Sequence, residues 1–108
     1  MSDADRQAVF AALADDCRRT LLDRLRIENG LTLTQLGIGL PISRQAVTKH
    51  LAILEAANLV ISRRRGREKR HYLNPVPIHA IALRWLERFD ETRLGALLEL
   101  KTSLEKET

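Results

Sequence analysis

The sequence predicts a mainly α-helical domain with one small β-hairpin, ordered as four helices, two strands and a long or broken C-terminal helix. Three observations carry this prediction. Apolar residues recur at helical spacing through most of the chain, a Pro-containing break separates a third from a fourth helical segment, and two short runs between 59 and 74 with β-branched or aromatic content flank a polar turn at Gly66. At 108 residues, 44% hydrophobic and 30% charged, the chain has the balance of a single globular domain, 1–108.

The first segment, roughly Ser2 to Ala14, places Val9, Phe10 and Leu13 at helical spacing, with Ser2 or Asp3 available to cap it. Asp15 and Asp16 then suit the positive start of a second helix, whose stripe is Cys17, Leu21, Leu22 and Leu25 and whose stop is Asn29-Gly30. Thr32 and Gln35 match a capping box for a short third helix reaching about Gly39. Pro41 cannot continue that helix, because it lacks an amide hydrogen and disfavours helical geometry before it. Ser43 then caps a fourth helix to about Ala57, with Val47, Leu51 and Leu54 on one face and Asn58 closing it. Residues 32–57 thus read as two helices joined by a tight turn.

LVISRRR and KRHYLN read as the strands of a hairpin covering 59–74, with Gly66 supplying its tip. Pro75 and Pro77 end the second strand and open a helix at positions where proline is tolerated. Ile78, Ile81, Trp85, Leu86 and Phe89 continue it, and after Asp90-Glu91-Thr92 the pattern resumes with Leu94, Leu97, Leu98 and Leu104. A chain this short cannot easily bury that apolar stripe alone, so 76–106 is expected to serve both its own core and a partner copy.

Charge is the most informative compositional feature. The net charge is +4, yet residues 62–71, SRRRGREKRH, carry +5, which leaves the remainder at −1. A near-neutral body bearing one cationic strip, directly after a helix pair of this kind, fits duplex DNA: the second helix enters the major groove and the hairpin reaches the adjoining backbone or minor groove. Opposite the apolar face of the fourth helix stand Arg44, Gln45, Thr48, Lys49 and Ala52, concentrated in its first two turns and preceded by Ser43, with Glu55 toward the far end. Arg pairs bidentately with guanine and Gln with adenine, while Thr offers a hydroxyl or a methyl. In the hairpin, Arg63, Arg64, Arg65, Arg67, Lys69 and Arg70 are the expected phosphate ligands, about half of them touching DNA at once because strand alternation sends them to opposite faces. A solvated polar face, or a docking surface for an acidic protein, is the alternative reading of the same residues.

Other chemistry is weakly supported. No nucleophile–base pair, acid pair or phosphate loop stands out, so neither an enzyme nor a cofactor is expected. The lone Cys17 and the scattered His50, His71 and His79 show no metal-ligand pair at a recognisable spacing. Cys17 reads as a small buried hydrophobe or, with Arg18 and Arg19 beside a helix start lowering its pKa, as a thiol sensor. His50 reads as a packed or phosphate-bonding histidine rather than a base reader. The absence of a basic-then-apolar N-terminus, of any membrane-length apolar run and of a second cysteine leads to the expectation of a reducing cytoplasm.

The segments LADDCRRTLLDRL, SRQAVTKHLAILEAANLV and RRRGREKRHYLNP resemble the ArsR family of winged-helix repressors across nearly the whole chain. That resemblance implies a winged helix-turn-helix in which Arg44, Gln45, Thr48 and Lys49 occupy recognition-helix positions. It further implies a homodimer joined through the first and last helices, 1–14 and 76–106, reading an imperfect palindrome and responding to an effector. Val9, Phe10, Leu13, Trp85, Leu86, Phe89, Leu94, Leu97 and Leu98 are the corresponding interface positions. TQLGIGL and PIHAIALRWLERFD lack the paired cysteines, or the Asp, His and Glu set, of the metal-sensing members, so the resemblance is to a non-metal subgroup.

Overall fold

The structure, a computed structural model, describes residues 1–88 and 91–106, with the side chains of 87, 88 and 91–94 left out of account. The elements run α1 (Asp3–Leu13), α2 (Asp16–Ile27), α3 (Leu33–Gly37), α4 (Arg44–Ala56), β1 (Val60–Arg65), β2 (Glu68–Leu73), α5 (Val76–Arg88) and α6 (Glu91–Lys106). The predicted fold class and element order hold, and the C-terminal helical region comprises two helices, α5 and α6. The chain falls into two compact units, Met1–Ile78 and His79–Thr108. No helix among the described residues is long and apolar enough to cross a membrane.

Local side-chain chemistry sets the helix starts. Ser2 and Asp5 form a reciprocal capping box at α1, as Thr32 and Gln35 do at α3. The Asp15 carboxylate accepts from the Arg18 amide at 3.0 Å to start α2, and the Ser43 hydroxyl accepts from the Ala46 amide at 3.1 Å to start α4. The α4 exit is closed by Asn58, whose φ of 60° is the left-handed conformation that asparagine tolerates better than most residues.

Apolar faces then gather into one core of the first unit. Val9 and Ala12 of α1, Leu21, Leu22 and Leu25 of α2, Leu36 of α3, and Val47, Leu51 and Leu54 of α4 are all buried, with Leu59 and Val60 sealing the base of the hairpin. Two arginines of α2 finish the neighbouring helices. Arg18 donates from Nε to the Ala12 carbonyl at 2.8 Å and from Nη2 to the Ala11 carbonyl at 3.0 Å, while Arg24 donates from Nη1 to the carbonyls of Leu36 and Ile38. These carbonyls lie at the ends of α1 and α3, beyond the reach of regular helical bonding, although that of Ala11 also accepts from the Ala14 amide at 3.3 Å. The five-residue α3, too short to hold itself, is thereby pinned between its capping box and Arg24.

The hairpin is a regular antiparallel pair, from Val60 opposite Leu73 to Arg65 opposite Glu68, closed by Gly66 and Arg67. Gly66 has φ of +65°, as expected of a glycine at the first position of a two-residue hairpin turn. An isolated bridge between Leu31 and His71, the Gly30 amide donating to the His71 carbonyl at 2.8 Å, and Asn29 Oδ1 accepting from the Leu73 amide at 2.8 Å fasten β2 to the α2–α3 connection. The hairpin is therefore anchored at its base and projects at its tip.

Candidate nucleic-acid interface

The recognition surface follows from which face of α4 the core consumes. With Val47, Leu51 and Leu54 buried, the opposite side presents Arg44, Gln45, Thr48, Lys49 and Ala52, all exposed. Among the described residues the side chains of Arg44, Gln45 and Lys49 make no hydrogen bond or ion pair, while the Thr48 hydroxyl donates to the Arg44 carbonyl at 3.1 Å, leaving its oxygen free to accept. Ser43 is exposed as well, with its hydroxyl oxygen occupied as the helix cap.

Strand register sorts the basic residues. Ser62 and Arg64 of β1 share a face with Lys69 and His71 of β2, and Ile61, Arg63 and Arg65 share the other with Glu68, Arg70 and Tyr72. Arg63, Arg64, Arg65 and Arg67 are exposed and, among the described residues, unpaired. Lys69 and Arg70 differ from this group. Lys69 Nζ lies 3.4 Å from Glu55 Oε1 on α4, and Arg70 donates to the Gly30 carbonyl at 3.2 Å and to Glu68 Oε2 at 2.9 Å. In the free protein these two cations act as ties within the fold, because acceptors lie within reach of their stems.

Between α3, α4 and the hairpin runs a groove of about 610 Å³, lined by Thr34, Arg44, Thr48, Glu55, Arg67 and Lys69 among others. Glu55 and His71, neither anticipated as site residues, form its floor. His71 is 3% exposed, its Nδ1 lies 2.9 Å from the Leu31 carbonyl, and its Nε2 lies 3.9 Å from Glu55 Oε1. That carboxylate oxygen is buried and makes no hydrogen bond, so charge attraction from Lys69 is its closest compensation. A helical count from Val47 does place Glu55 toward the groove, but nothing local signals that a histidine of the hairpin will meet it.

Other expectations resolve as follows. Val9 is 1% exposed and belongs to the core, because Val9 and Ala12 together point inward; Phe10, at 45%, faces solvent and Leu13 is half-buried. In the second unit Trp85, Leu86, Leu97 and Leu98 are each more than half exposed. Phe89 lies outside the described residues, and so does the side chain of Leu94. Cys17 is half-buried, and its pKa is raised rather than lowered: burial acts first, then the charges of Asp15 and Asp16, which outweigh Arg18. A readily ionised thiol sensor is thus not what the fold makes of it. His50 turns toward the start of α2, with Nδ1 3.3 Å from Arg18 Nη1 and 4.0 Å from Asp15 Oδ1.

Comparison with known proteins agrees with this geometry. A helix-turn-helix domain family matches residues 1–63. The uncharacterised HTH-type transcriptional regulator YuzN of Bacillus subtilis (strain 168) is 40% identical over 89 residues, covering 77% of this chain and 97% of that protein. The HTH-type transcriptional regulator Rv2034 of Mycobacterium tuberculosis (strain ATCC 25618 / H37Rv) is 38% identical over 72 residues, covering 67% of this chain and 66% of that protein. Among solved structures, an ArsR-like transcriptional regulator from Rhodococcus sp. RHA1 is similar over 96% of this chain and 92% of its own, with TM-score 0.69 and 36% identity. HlyU from Vibrio cholerae N16961 is similar over 75% of this chain and 89% of its own, with TM-score 0.63 and 26% identity. YuzN, Rv2034 and the Rhodococcus protein are regulators rather than enzymes, and the chain belongs to the ArsR family of winged helix-turn-helix, DNA-binding transcriptional regulators.

Proposed function

We propose that this protein is a cytoplasmic, dimeric repressor that binds an imperfect palindromic operator and is released by an effector. One observation carries the reading: unpaired Arg44, Gln45 and Lys49 stand on the open face of α4, and four exposed, unpaired arginines stand at the tip of the adjoining hairpin. In this reading Arg44, Gln45 and Thr48 read base edges in the major groove. Lys49, Arg63, Arg64, Arg65 and Arg67 neutralise phosphates, the Ser43 hydroxyl donates a hydrogen bond to one, and Lys69 and Arg70 chiefly hold the hairpin at its angle.

Dimerisation is supported by exposed apolar side chains. Phe10 of α1 is exposed in the first unit, and Trp85 and Leu86 of α5 and Leu97 and Leu98 of α6 are exposed in the second. A second copy covering them would place two recognition helices on one duplex, with half-sites about one helical turn apart.

Selection of binding sites from a random duplex pool by the purified protein tests the proposal. An enriched inverted repeat with that spacing is the expected result. Enrichment of a single unrepeated half-site would remove the dimer from the reading. Failure to enrich any sequence at physiological salt would favour the alternative in which the basic hairpin docks on an acidic protein.

A further inference from the structure

We propose that Asp15, Cys17 and His50 form a binding site for one divalent cation of the zinc class, where α2 begins against α4. A carboxylate oxygen of Asp15, the Sγ of Cys17 and a ring nitrogen of His50 all lie within 4.8 Å of one another. Donors around a tetrahedral zinc ion stand about 3.3–3.8 Å apart, given metal–ligand distances of about 2.0–2.3 Å. A contraction of about 1 Å, within the reach of side-chain rotation, therefore closes the set. The three residues are all half-buried rather than sealed in, which leaves a coordination position open to water.

The donor chemistry selects the cation. Thiolate, imidazole and carboxylate together suit zinc or cadmium, whereas magnesium and calcium prefer oxygen alone. On binding, the Cys17 S–H gives its proton to solvent, a metal–sulfur bond forms, and the aquated ion sheds its waters as the three side chains take their places in a tetrahedral set, one water keeping the fourth position. The thiolate and the Asp15 carboxylate then neutralise the dication.

Neutrality matters because Arg18 is adjacent. Its Nη1 lies 3.3 Å from His50 Nδ1 and 4.0 Å from Asp15 Oδ2, while its Nε and Nη2 are held by the carbonyls of Ala12 and Ala11. The guanidinium stays in place and faces a neutral complex. Because a guanidinium is planar, Nη1 keeps its position while the His50 ring turns to the metal, and the Asp15 oxygen left outside the metal bond becomes its acceptor, a contact that steadies a carboxylate ligand. Burial first, and then Asp15 and Asp16, keep the proton on the free Cys17 thiol, and the two carboxylates also make the local potential favourable to a cation.

Cobalt(II) titration of the reduced, purified full chain under anaerobic conditions, without DNA, tests this independently of the DNA-binding reading. The expected result is one equivalent bound with a thiolate-to-cobalt charge-transfer band in the near ultraviolet, bleached by zinc. Cys17→Ser abolishes the band, and Asp15→Asn and His50→Gln each weaken binding by at least about tenfold. Asparagine preserves the α2 cap, so retained helical circular dichroism in Asp15→Asn separates ligand loss from unfolding. No band in the wild-type chain overturns the proposal, as does a band that survives Cys17→Ser. Undiminished affinity in both Asp15→Asn and His50→Gln overturns it as well, since that describes a thiol binding metal on its own.

Discussion

At the N-terminal end of α4, Arg44, Gln45 and Lys49 stand in solvent with no side-chain partner among the described residues; at its C-terminal end Glu55 is half-buried, 3.4 Å from Lys69 and 3.9 Å from His71. The same division runs through the hairpin, where Arg63 and Arg64 of β1 are free while Arg70 and Lys69, directly opposite them on β2, are held. The difference teaches where affinity and where geometry originate. Groups proposed to meet DNA are left unpaired and solvated, whereas groups that tie the hairpin to its neighbours are paired inside the protein. Charge alone does not distinguish the two.

The largest expected effect lies beneath both regions. Leu54 is fully buried under α4, so Leu54→Ala should cost ~2–5 kcal/mol of stability, measured by denaturant unfolding. Arg44→Ala should leave unfolding unchanged and cost ~1–3 kcal/mol at the selected site, with little change on random DNA. Equal losses on both DNAs would reduce Arg44 to a phosphate contact and blur the division proposed for α4.

In the hairpin, Arg64→Ala should shallow the plot of log affinity against log salt by about 0.9, one phosphate contact. Arg70→Ala should leave that slope unaltered and lower stability by about 1 kcal/mol, because it loses hydrogen bonds within the fold rather than DNA contacts. A change of slope in both variants would break the comparison. Glu55→Gln should act in the opposite direction: with Lys69 released, affinity for random DNA rises and the slope steepens by about 0.9, while discrimination falls because the hairpin is less firmly held.

The smallest effect is expected far from both regions. The Asp5 carboxyl is held below its usual range, first by the Ser2 backbone amide and then by the Ser2 hydroxyl, within the α1 capping box. A depressed folded value means that the contribution is present above the ordinary carboxylate pKa and is lost as pH falls through the folded one. The thermal stability difference between wild type and Asp5→Asn should therefore shrink toward zero in strong acid, as melting curves at successive pH values would show.

Much of the site was legible without coordinates because the decisive signals are local. Ser43 caps α4 through a hydrogen bond three residues away, and Gly66 meets a backbone demand that arises within its own turn. The free face of α4 follows from the spacing of Val47, Leu51 and Leu54. The pairing of Glu55 with His71 is not legible in the sequence, because it depends on a contact between helix and hairpin. Val9 was placed on an interface because spacing identifies an apolar stripe without saying which of its members faces inward.

The sequence by itself determined the order of the elements, their caps, the open face of α4 and the position of the cationic hairpin, since each depends on residues within a few positions of one another. Only the tertiary structure decided which cations are free. It turned Arg70 to a carbonyl 40 positions away, assigned Arg18 and Arg24 to the open ends of α1 and α3, and brought Asp15, Cys17 and His50 together. The physical reason is that a long charged side chain takes whichever acceptor lies within its reach, and what lies within reach is settled by packing between elements.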